Sequence, residues 1–454
     1  MSNFLPNELI KRLSEQEGFD FDAFRKVNEQ GDKTISIRLN PFKEGRVRFE
    51  SVNPVPWCDK GYYLAKEPVF MLDPLYHAGC YDVQEASSMF IAHILTEIAL
   101  VNSEIRALDL CAASGGKSTL LTSYLGNRSL LVSNVIMRSR VNILVNNTAR
   151  WGTANVVVTH NDPSAFSHLP GYFDLLLVDA PCSSSDAFPN KERMDDWSLE
   201  NVKLCSDRQK RILRDSLSSL MTDGYLIYST SSYSREENED ILDWILSEYA
   251  FESVPVAFDV AWGIEETQST QHNAFGYRFY PHKVKGEAFF VAVLKKKEEQ
   301  ATFNRSKARA DKNLILAEIV SDWVEEGFGY DCFMGEDYVY VFPKDYGDDL
   351  KWLQQMLSVK KAGTNIGKLT GEELIPSYDL AWSIHVKTDL PVQDVTLDVA
   401  LQFLRQESLD VMDFTAVNSG WCLVRYKGIN LGWIKVLPDR IDNYYSAQSR
   451  VLPE

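Results

Sequence analysis

The chain has 454 residues, 45% of them hydrophobic and 24% charged, and a formal net charge of −17. Its length exceeds one ordinary domain and suggests roughly three, and no stretch reaches the roughly 20 apolar residues that a membrane-spanning helix needs. The acidic balance excludes broad, non-specific attachment to nucleic acid and confines any such contact to a small face or a shared partner.

In chain order, Asn7 to Leu13 read as a short helix and Thr34-Ile-Ser-Ile-Arg-Leu alternates as a strand. A helix is expected to open at Val83-Gln-Glu-Ala-Ser-Ser-Met. From Arg106 strands and helices alternate: strands at Arg106-Ala-Leu-Asp-Leu, 129–133, 155–159, 173–181 and 224–230, with helices at 117–124, 139–151, 204–220 and 236–249. A late strand begins at Glu287. This alternation predicts an α/β fold with a doubly wound, Rossmann-like parallel sheet. Lys295 to Lys312 is rich in charged and polar residues and reads as a linker. The tail alternates as a hairpin around Lys427-Gly-Ile-Asn. The expected units are therefore 1–100, 101–297, a linker at 298–312, 313–390 and 391–454.

Seven cysteines, at 58, 80, 111, 182, 205, 332 and 422, form no Cys-x-x-Cys pair and no zinc-spaced cluster. Free thiols in a reducing compartment and no metal centre are expected. The opening Met1-Ser-Asn-Phe-Leu-Pro lacks the basic and apolar regions of a signal peptide, so a cytoplasmic location is expected.

Two segments carry chemistry. Leu108-Asp-Leu-Cys-Ala-Ala-Ser-Gly-Gly-Lys-Ser joins the first strand of the alternating region to a helix, where glycines and helix amides suit an anionic or carboxylate-bearing ligand. A phosphate loop would also carry Gly-Lys-Ser, but Cys111 stands where its first glycine belongs. Asp179-Ala-Pro-Cys182 closes the fourth strand, at the sheet edge where open α/β folds bind ligands. A carboxyl group followed by a thiol suits a pyrimidine ring: the acid addresses a ring nitrogen, and the thiol acts as nucleophile or base. A buried structural thiol is the competing reading of Cys182.

Together with Ser36-Ile-Arg-Leu-Asn-Pro, His77-Ala-Gly-Cys-Tyr-Asp-Val-Gln-Glu-Ala-Ser-Ser-Met, Asn161-Asp-Pro, Arg208-Gln-x-x-Ile-Leu, Tyr228-Ser-Thr, Tyr233-Ser-x-Glu-Glu-Asn-Glu and Arg278-Phe-Tyr-Pro-His-x-x-x-Gly-Glu, these segments form an ordered series over nearly the whole chain. The series resembles the Nol–Nop–Sun family of RNA cytosine-C5 methyltransferases, and within it the RsmF-like group that acts on small-subunit rRNA. The resemblance implies a class I methyltransferase domain, an N-terminal α/β RNA-binding extension and a C-terminal PUA-like β-rich domain, the last suggested by Gly432-Trp-Ile-Lys, Arg440 and Asn443-Tyr. It implies S-adenosyl-L-methionine as cofactor, its methionine part against Cys111, Ala112, Ala113, Ser114, Gly115, Gly116 and Lys117, and its adenine beside Asp162. It implies that Asp179 holds the cytosine and that Cys182 releases the product. The implied partner is rRNA or the small ribosomal subunit, with neither DNA nor membrane, and the chain is expected to act as a monomer.

The sequence departs from the pattern at four places. The family's nucleophilic Cys, in a Thr-Cys-Ser triplet, is Ser231 in Thr230-Ser-Ser; a hydroxyl is far less reactive than a thiol at neutral pH unless a base activates it. The acid expected to grip the cofactor ribose is Val135, a loss of about 1.5–3 kcal/mol. Ser114 replaces a proline, and Ser183-Ser-Ser-Asp186 replaces Ser-Gly-Glu-Gly. Two readings stay open: an enzyme in which Cys182 alone does the work, or a catalytically inactive RNA-binding paralogue acting in ribosome assembly. Trp421, Tyr426 and Trp433 are either core residues or stacking platforms. His282 is expected to make a structural hydrogen bond, and the acidic run 236–240 is read as a solvated helix start.

Overall fold

The computed structural model describes residues 6–15, 19–30, 34–43, 47, 49, 52–183, 197–298, 314–371, 373–446 and 450–451. The Ser184–Asp186 part of the serine-rich loop, and the expected linker from residue 299 onward, lie outside the described residues.

The N-terminal unit comprises helices α1 (Asn7–Ser14) and α2 (Phe21–Gln30), strands β1 (Ile35–Leu39), β2 (Val52–Val55) and β3 (Cys58–Leu64), the short helix α3 (Pro74–His77) and strand β4 (Tyr81–Val83). Its sheet runs β2-β3-β1-β4. The helix expected from Val83 starts later: Tyr81–Val83 pairs with β1, and α4 occupies Phe90–Glu97. Between them the Glu85 carboxylate accepts the backbone N–H groups of Ser87 (2.8 Å) and Ser88 (2.9 Å), so residues 84–86 turn rather than coil.

The central sheet is built from β5 (Arg106–Asp109), β6 (Leu130–Asn134), β7 (Val156–Thr159), β8 (Phe173–Asp179), β9 (Leu220–Thr230), β10 (Phe251–Ser253), β11 (Glu265–Gln268), β12 (Phe275–Phe279) and β13 (Phe289–Lys296). Strands β7-β6-β5-β8-β9 run parallel, with β13, β12 and β11 added antiparallel beyond β9. The intervening helices are α5 (Gly116–Leu125), α6 (Val141–Trp151), α7 (Leu199–Ser216) and α8 (Glu239–Glu248). The strands β6 and β7 are buried throughout, as expected for parallel strands covered by helices on both faces. Their two sides form separate hydrophobic clusters, one around Ala107, Leu131, Leu175 and Ile227, the other around Leu108, Val132, Leu176 and Leu226.

Arg38 in the motif Ser36-Ile-Arg-Leu-Asn-Pro fastens the N-terminal sheet to the back of α5. It is fully buried, donates to Gln84 Oε1 (2.7 Å), Thr119 Oγ1 (2.6 Å) and Ser123 Oγ (3.0 Å), and lies over the Trp151 ring. Each guanidinium edge therefore finds an acceptor, which is the condition for burying a charge.

Residues beyond 313 form two smaller sheets. The first contains α9 (Leu314–Ser321), β14 (Tyr330–Gly335), β15 (Tyr338–Pro343), α10 (Gly347–Met356), β16 (Val359–Ala362), β17 (Thr364–Thr370), β18 (Glu373–Pro376) and α11 (Tyr378–Trp382). Strand β16 leaves this unit's own sheet and pairs antiparallel with β7, extending the central sheet at its other edge. The second holds β19 (Val392–Asp394), α12 (Leu397–Leu404), β20 (Gly420–Tyr426), β21 (Ile429–Val436) and β22 (Ile441–Asn443). Its hairpin turns at Lys427 and Gly428, with φ of 49° and 78°, the left-handed pair a two-residue hairpin requires. No helix among the described residues is long and apolar enough to cross a membrane.

Candidate active site at the carboxyl edge of the central sheet

Every site residue marked in the sequence lies at or past the carboxyl end of a parallel strand, the edge where such sheets bind ligands. After β5 the chain makes a tight turn. Ala112 N–H donates to Asn134 O (2.9 Å), Gly115 N–H to Ala112 O (2.7 Å), and Asn147 Nδ2 to Ser114 O (2.8 Å). Ala113 and Gly115 have positive φ, 50° and 96°. A Cβ on Gly115 would meet Leu144 Cδ1 at 2.8 Å, so this position needs glycine on both conformational and steric grounds. The turn leaves Ala113 and Ser114 exposed and sets Gly116 as the first residue of α5. Cys111 is half-buried, packed against the cluster around Leu108 and Leu176, and burial pushes its thiol well up.

Asp109 ends β5 fully buried and accepts from Ser118 Oγ (2.7 Å). Burial raises its carboxyl from 3.8 to about 7, against the lowering effect of that hydrogen bond and with further upward pressure from Asp179. Nearby, Lys117 donates to Asp179 Oδ2 (2.8 Å), and Ser229 Oγ donates to Asp179 Oδ1 (2.7 Å). Burial works against the Lys117 ammonium, but Asp179 and then Asp109 outweigh it and raise its pKa. Asp179 is thus clamped on both oxygens, with its orientation fixed by α5 on one side and β9 on the other.

At the ends of β6 and β7, Asn134 is the buried knot. Its amide donates to Leu110 O and Asn161 O (3.1 Å each) and accepts from Thr159 Oγ1 (2.9 Å) and Asn161 N (3.0 Å). Val135 follows, packed in the core at 3% exposure, with its carbonyl accepting from His160 Nδ1 (2.8 Å). No carboxylate stands at that position. Asp162 is exposed and caps the turn at Pro163–His168 by accepting from Ser164 N (3.1 Å) and Oγ (2.8 Å), which lowers its pKa.

After β8, Cys182 is buried at 7% exposure; after β9, Ser231 is half-buried. Between the two loops lies Glu237, fully buried, which accepts from Ser183 N (2.8 Å), Ser183 Oγ (2.6 Å) and Ser232 Oγ (2.5 Å). Gln209 Nε2 donates to Pro181 O (3.1 Å) and reaches Glu237 Oε1 (3.4 Å). Burial raises the Glu237 carboxyl, and the serine bonds pull the other way. Asn238 accepts from Thr230 Oγ1 (2.6 Å) and donates to Ser232 O (2.8 Å).

These contacts correct two expectations. The acidic run 236–240 is not simply a solvated helix start: Glu237 and Glu239 are buried at 0% and 1% exposure. Glu239 takes a two-pronged bond from Arg278 (2.7 and 2.5 Å), and Arg278 also donates to Tyr233 O (2.9 Å). Acidic side chains go inside here because each finds donors that folding brings to it: Arg278 of β12 for Glu239, and Ser183, Gln209 and Ser232 for Glu237. His282 makes no structural hydrogen bond: neither ring nitrogen has a partner among the described residues. It packs edge-on against Phe19 and Phe24, and its pKa is lowered by burial.

Sequence reasoning singled out Lys117, Asp179, Cys182 and Ser231, and the structure gathers them at one edge. It passed over Asp109, Asn134, Ser229 and Glu237. The available signal for Glu237 was its place in Tyr233-Ser-x-Glu-Glu-Asn-Glu, one of the segments that carry the family resemblance.

Three family models match the chain: "16S rRNA methyltransferase RsmB/F" over residues 96–295, "N-terminal domain of 16S rRNA methyltransferase RsmF" over 5–86, and "Methyltransferase RsmF PUA domain" over 391–451. The chain is 28% identical to the ribosomal RNA small subunit methyltransferase F of Shewanella piezotolerans, over 90% of this chain and 89% of the relative. It is 28% identical to the protein of the same name from an Enterobacter species, over 98% and 95%. A solved methyltransferase homologue from Pyrococcus horikoshii superposes with a TM-score of 0.55 at 25% identity, covering 64% of this chain and 96% of that one.

Proposed function

We propose, for a chain that belongs to the RsmB/F family of 16S rRNA methyltransferases, that it transfers a methyl group from S-adenosyl-L-methionine to C5 of a cytosine in small-subunit rRNA. The observation that carries this reading is the clamped carboxylate Asp179, three residues before the buried thiol Cys182, beside a glycine turn at the sheet edge.

The residues fit the cofactor. The positive-φ turn at Ala113 and Gly115 and the start of α5 leave main chain open to its methionine part, and the exposed Asp162 stands past the end of β7, two strands along the edge, for the adenine. Val135 offers the ribose no acceptor, so this chain holds the cofactor about tenfold to hundredfold more weakly than one with a carboxylate there. When bound, S-adenosyl-L-methionine supplies a methyl group on a positive sulfur.

The protein must then make C5 of cytosine nucleophilic. Cys182 Sγ adds to C6 as its thiolate, and the electron pair moves toward N3 and C5. The Asp179 carboxylate, fixed by Lys117 and Ser229, can accept from the cytosine amino group, and the Lys117 ammonium beside it is the group that offsets the charge collecting toward N3. After C5 takes the methyl group, the C5 proton passes to water, its bond pair forms the C5=C6 double bond, and the S–C6 bond breaks with its pair returning to sulfur, which restores the aromatic ring and the Cys182 thiolate. Ser231 is not needed as nucleophile: its hydroxyl would require a general base, and no histidine lies near it in sequence.

The test is transfer of labelled methyl to 16S rRNA or assembling small subunits, with titration of the cofactor alone. Cys182→Ala is expected to lower the rate at least about 1000-fold, and Ser231→Ala to change it less than about threefold. Cofactor affinity should hold in both. Retained transfer in the Cys182 variant would overturn the assignment of the nucleophile. RNA binding without cofactor binding would overturn the reaction itself and leave an RNA-binding assembly protein.

A further inference from the structure

We infer that Glu237 is a positioning residue that sets the separation of the two loops bearing Cys182 and Ser231, and so the angle at which the reactive thiol meets the cytosine. The inference rests on the proposed reaction.

The geometry is specific. One carboxylate receives bonds from the residue immediately after each candidate reactive side chain: Ser183, following Cys182, through both N–H and hydroxyl, and Ser232, following Ser231, through its hydroxyl. A third element, α7, joins through Gln209, which also holds the Pro181 carbonyl. The clamp is anchored from behind, because Tyr228 in β9 donates to Glu237 O (2.7 Å). Asn238 then fixes the 230–232 turn by a bond to each side of it. Four donors converge on a group with no exposed surface, so the two loops cannot shift independently without stranding a buried polar atom.

A positioning role separates from proton transfer by chemistry. Glutamine at 237 keeps one acceptor oxygen for the Ser183 and Gln209 N–H groups and turns its NH2 to the two hydroxyls, which can rotate to accept. The clamp survives that exchange, whereas an acid or base role would not. Alanine removes the clamp: the Ser183 and Ser232 donors lose their acceptor, and Gln209 keeps only the Pro181 carbonyl.

The experiment measures methyl transfer to 16S rRNA, cofactor affinity by calorimetry, and the rate at which iodoacetamide alkylates Cys182, read by peptide mass spectrometry. Glu237→Ala is expected to lower kcat about 100-fold, the cost of a misplacement near 1 Å, with KM for RNA and Kd for S-adenosyl-L-methionine within about threefold of the parent. Glu237→Gln is expected to recover kcat to within about tenfold of the parent. Alkylation of Cys182 should quicken about tenfold in the alanine variant only, as the loop loosens. If Glu237→Ala does not fold, Ser183→Ala/Ser232→Ala keeps the carboxylate and carries the same expectations. Unchanged kcat in the alanine variant, parallel loss of cofactor affinity, or a glutamine variant as slow as alanine would each overturn the inference. If the parent chain transfers no methyl group, the reaction fails instead, and the clamp stands or falls on Cys182 alkylation alone.

Discussion

The central sheet edge and the C-terminal hairpin unit treat charge in opposite ways. At the sheet edge, Asp109, Glu237 and the Arg278–Glu239 pair are buried, and Lys117 and Asp179 are largely so, at 20% and 28% side-chain exposure. In the tail, the pairs Arg425–Asp394, Lys435–Glu373 and Arg440–Asp442 are mostly open to solvent, and the core is aromatic: Trp433 is fully buried, edge-on to Trp323, with Nε1 donating to Ser377 O. Buried charge is costly unless every oxygen and N–H is matched. The edge bears that cost to hold groups in fixed orientation; the tail uses ordinary packing and keeps its ion pairs near the surface.

The comparison breaks most sharply at Arg278. Replacing it with Met leaves the Glu239 carboxylate buried without its partner and should cost about 3–5 kcal/mol, read from urea unfolding of the whole chain. A cost below about 1 kcal/mol would mean that water reaches Glu239 and that the edge is not as closed as described.

Asp109 sharpens the comparison with a pH dependence. Its carboxyl is raised from 3.8 to about 7 in the folded chain. Between those values the native state keeps a proton that the unfolded state has released, so stability falls as pH rises through that window and levels off above it. The slope from this one group is at most about 1.4 kcal/mol per pH unit. Asp109→Asn should remove it, giving a melting temperature less dependent on pH between about 4 and 7 and higher than the parent's at pH 8. An unchanged pH profile would show that the group ionises normally.

The smallest effect is expected in the tail. Arg425 makes a two-pronged contact with Asp394 at 2.8 and 2.7 Å, but its side chain is 36% exposed and its partner's 61%. Arg425→Ala should cost no more than about 1 kcal/mol in 150 mM salt. If Arg425 faces RNA, the variant should weaken binding to 16S rRNA and lower the salt slope by about one.

Taken alone, the sequence determined the alternating strands and helices of the central sheet. Short apolar runs such as Leu175-Leu-Leu-Val, alternating with helical patterns, read as strands covered on both faces, and the glycine turn and Asp179-Ala-Pro-Cys mark the ends of two of them. These are local signals, readable from periodicity and from residues with few conformational alternatives. The antiparallel edge strand β16 and the interior placement of 236–240 were not legible, because both depend on partners far away in the chain: β7 for the strand, Ser183 and Arg278 for the acids. An acidic residue looks the same in sequence whether it faces water or four donors. Only the tertiary structure decided which charges went inside, since the desolvation each one suffers is offset by groups that folding alone brings together.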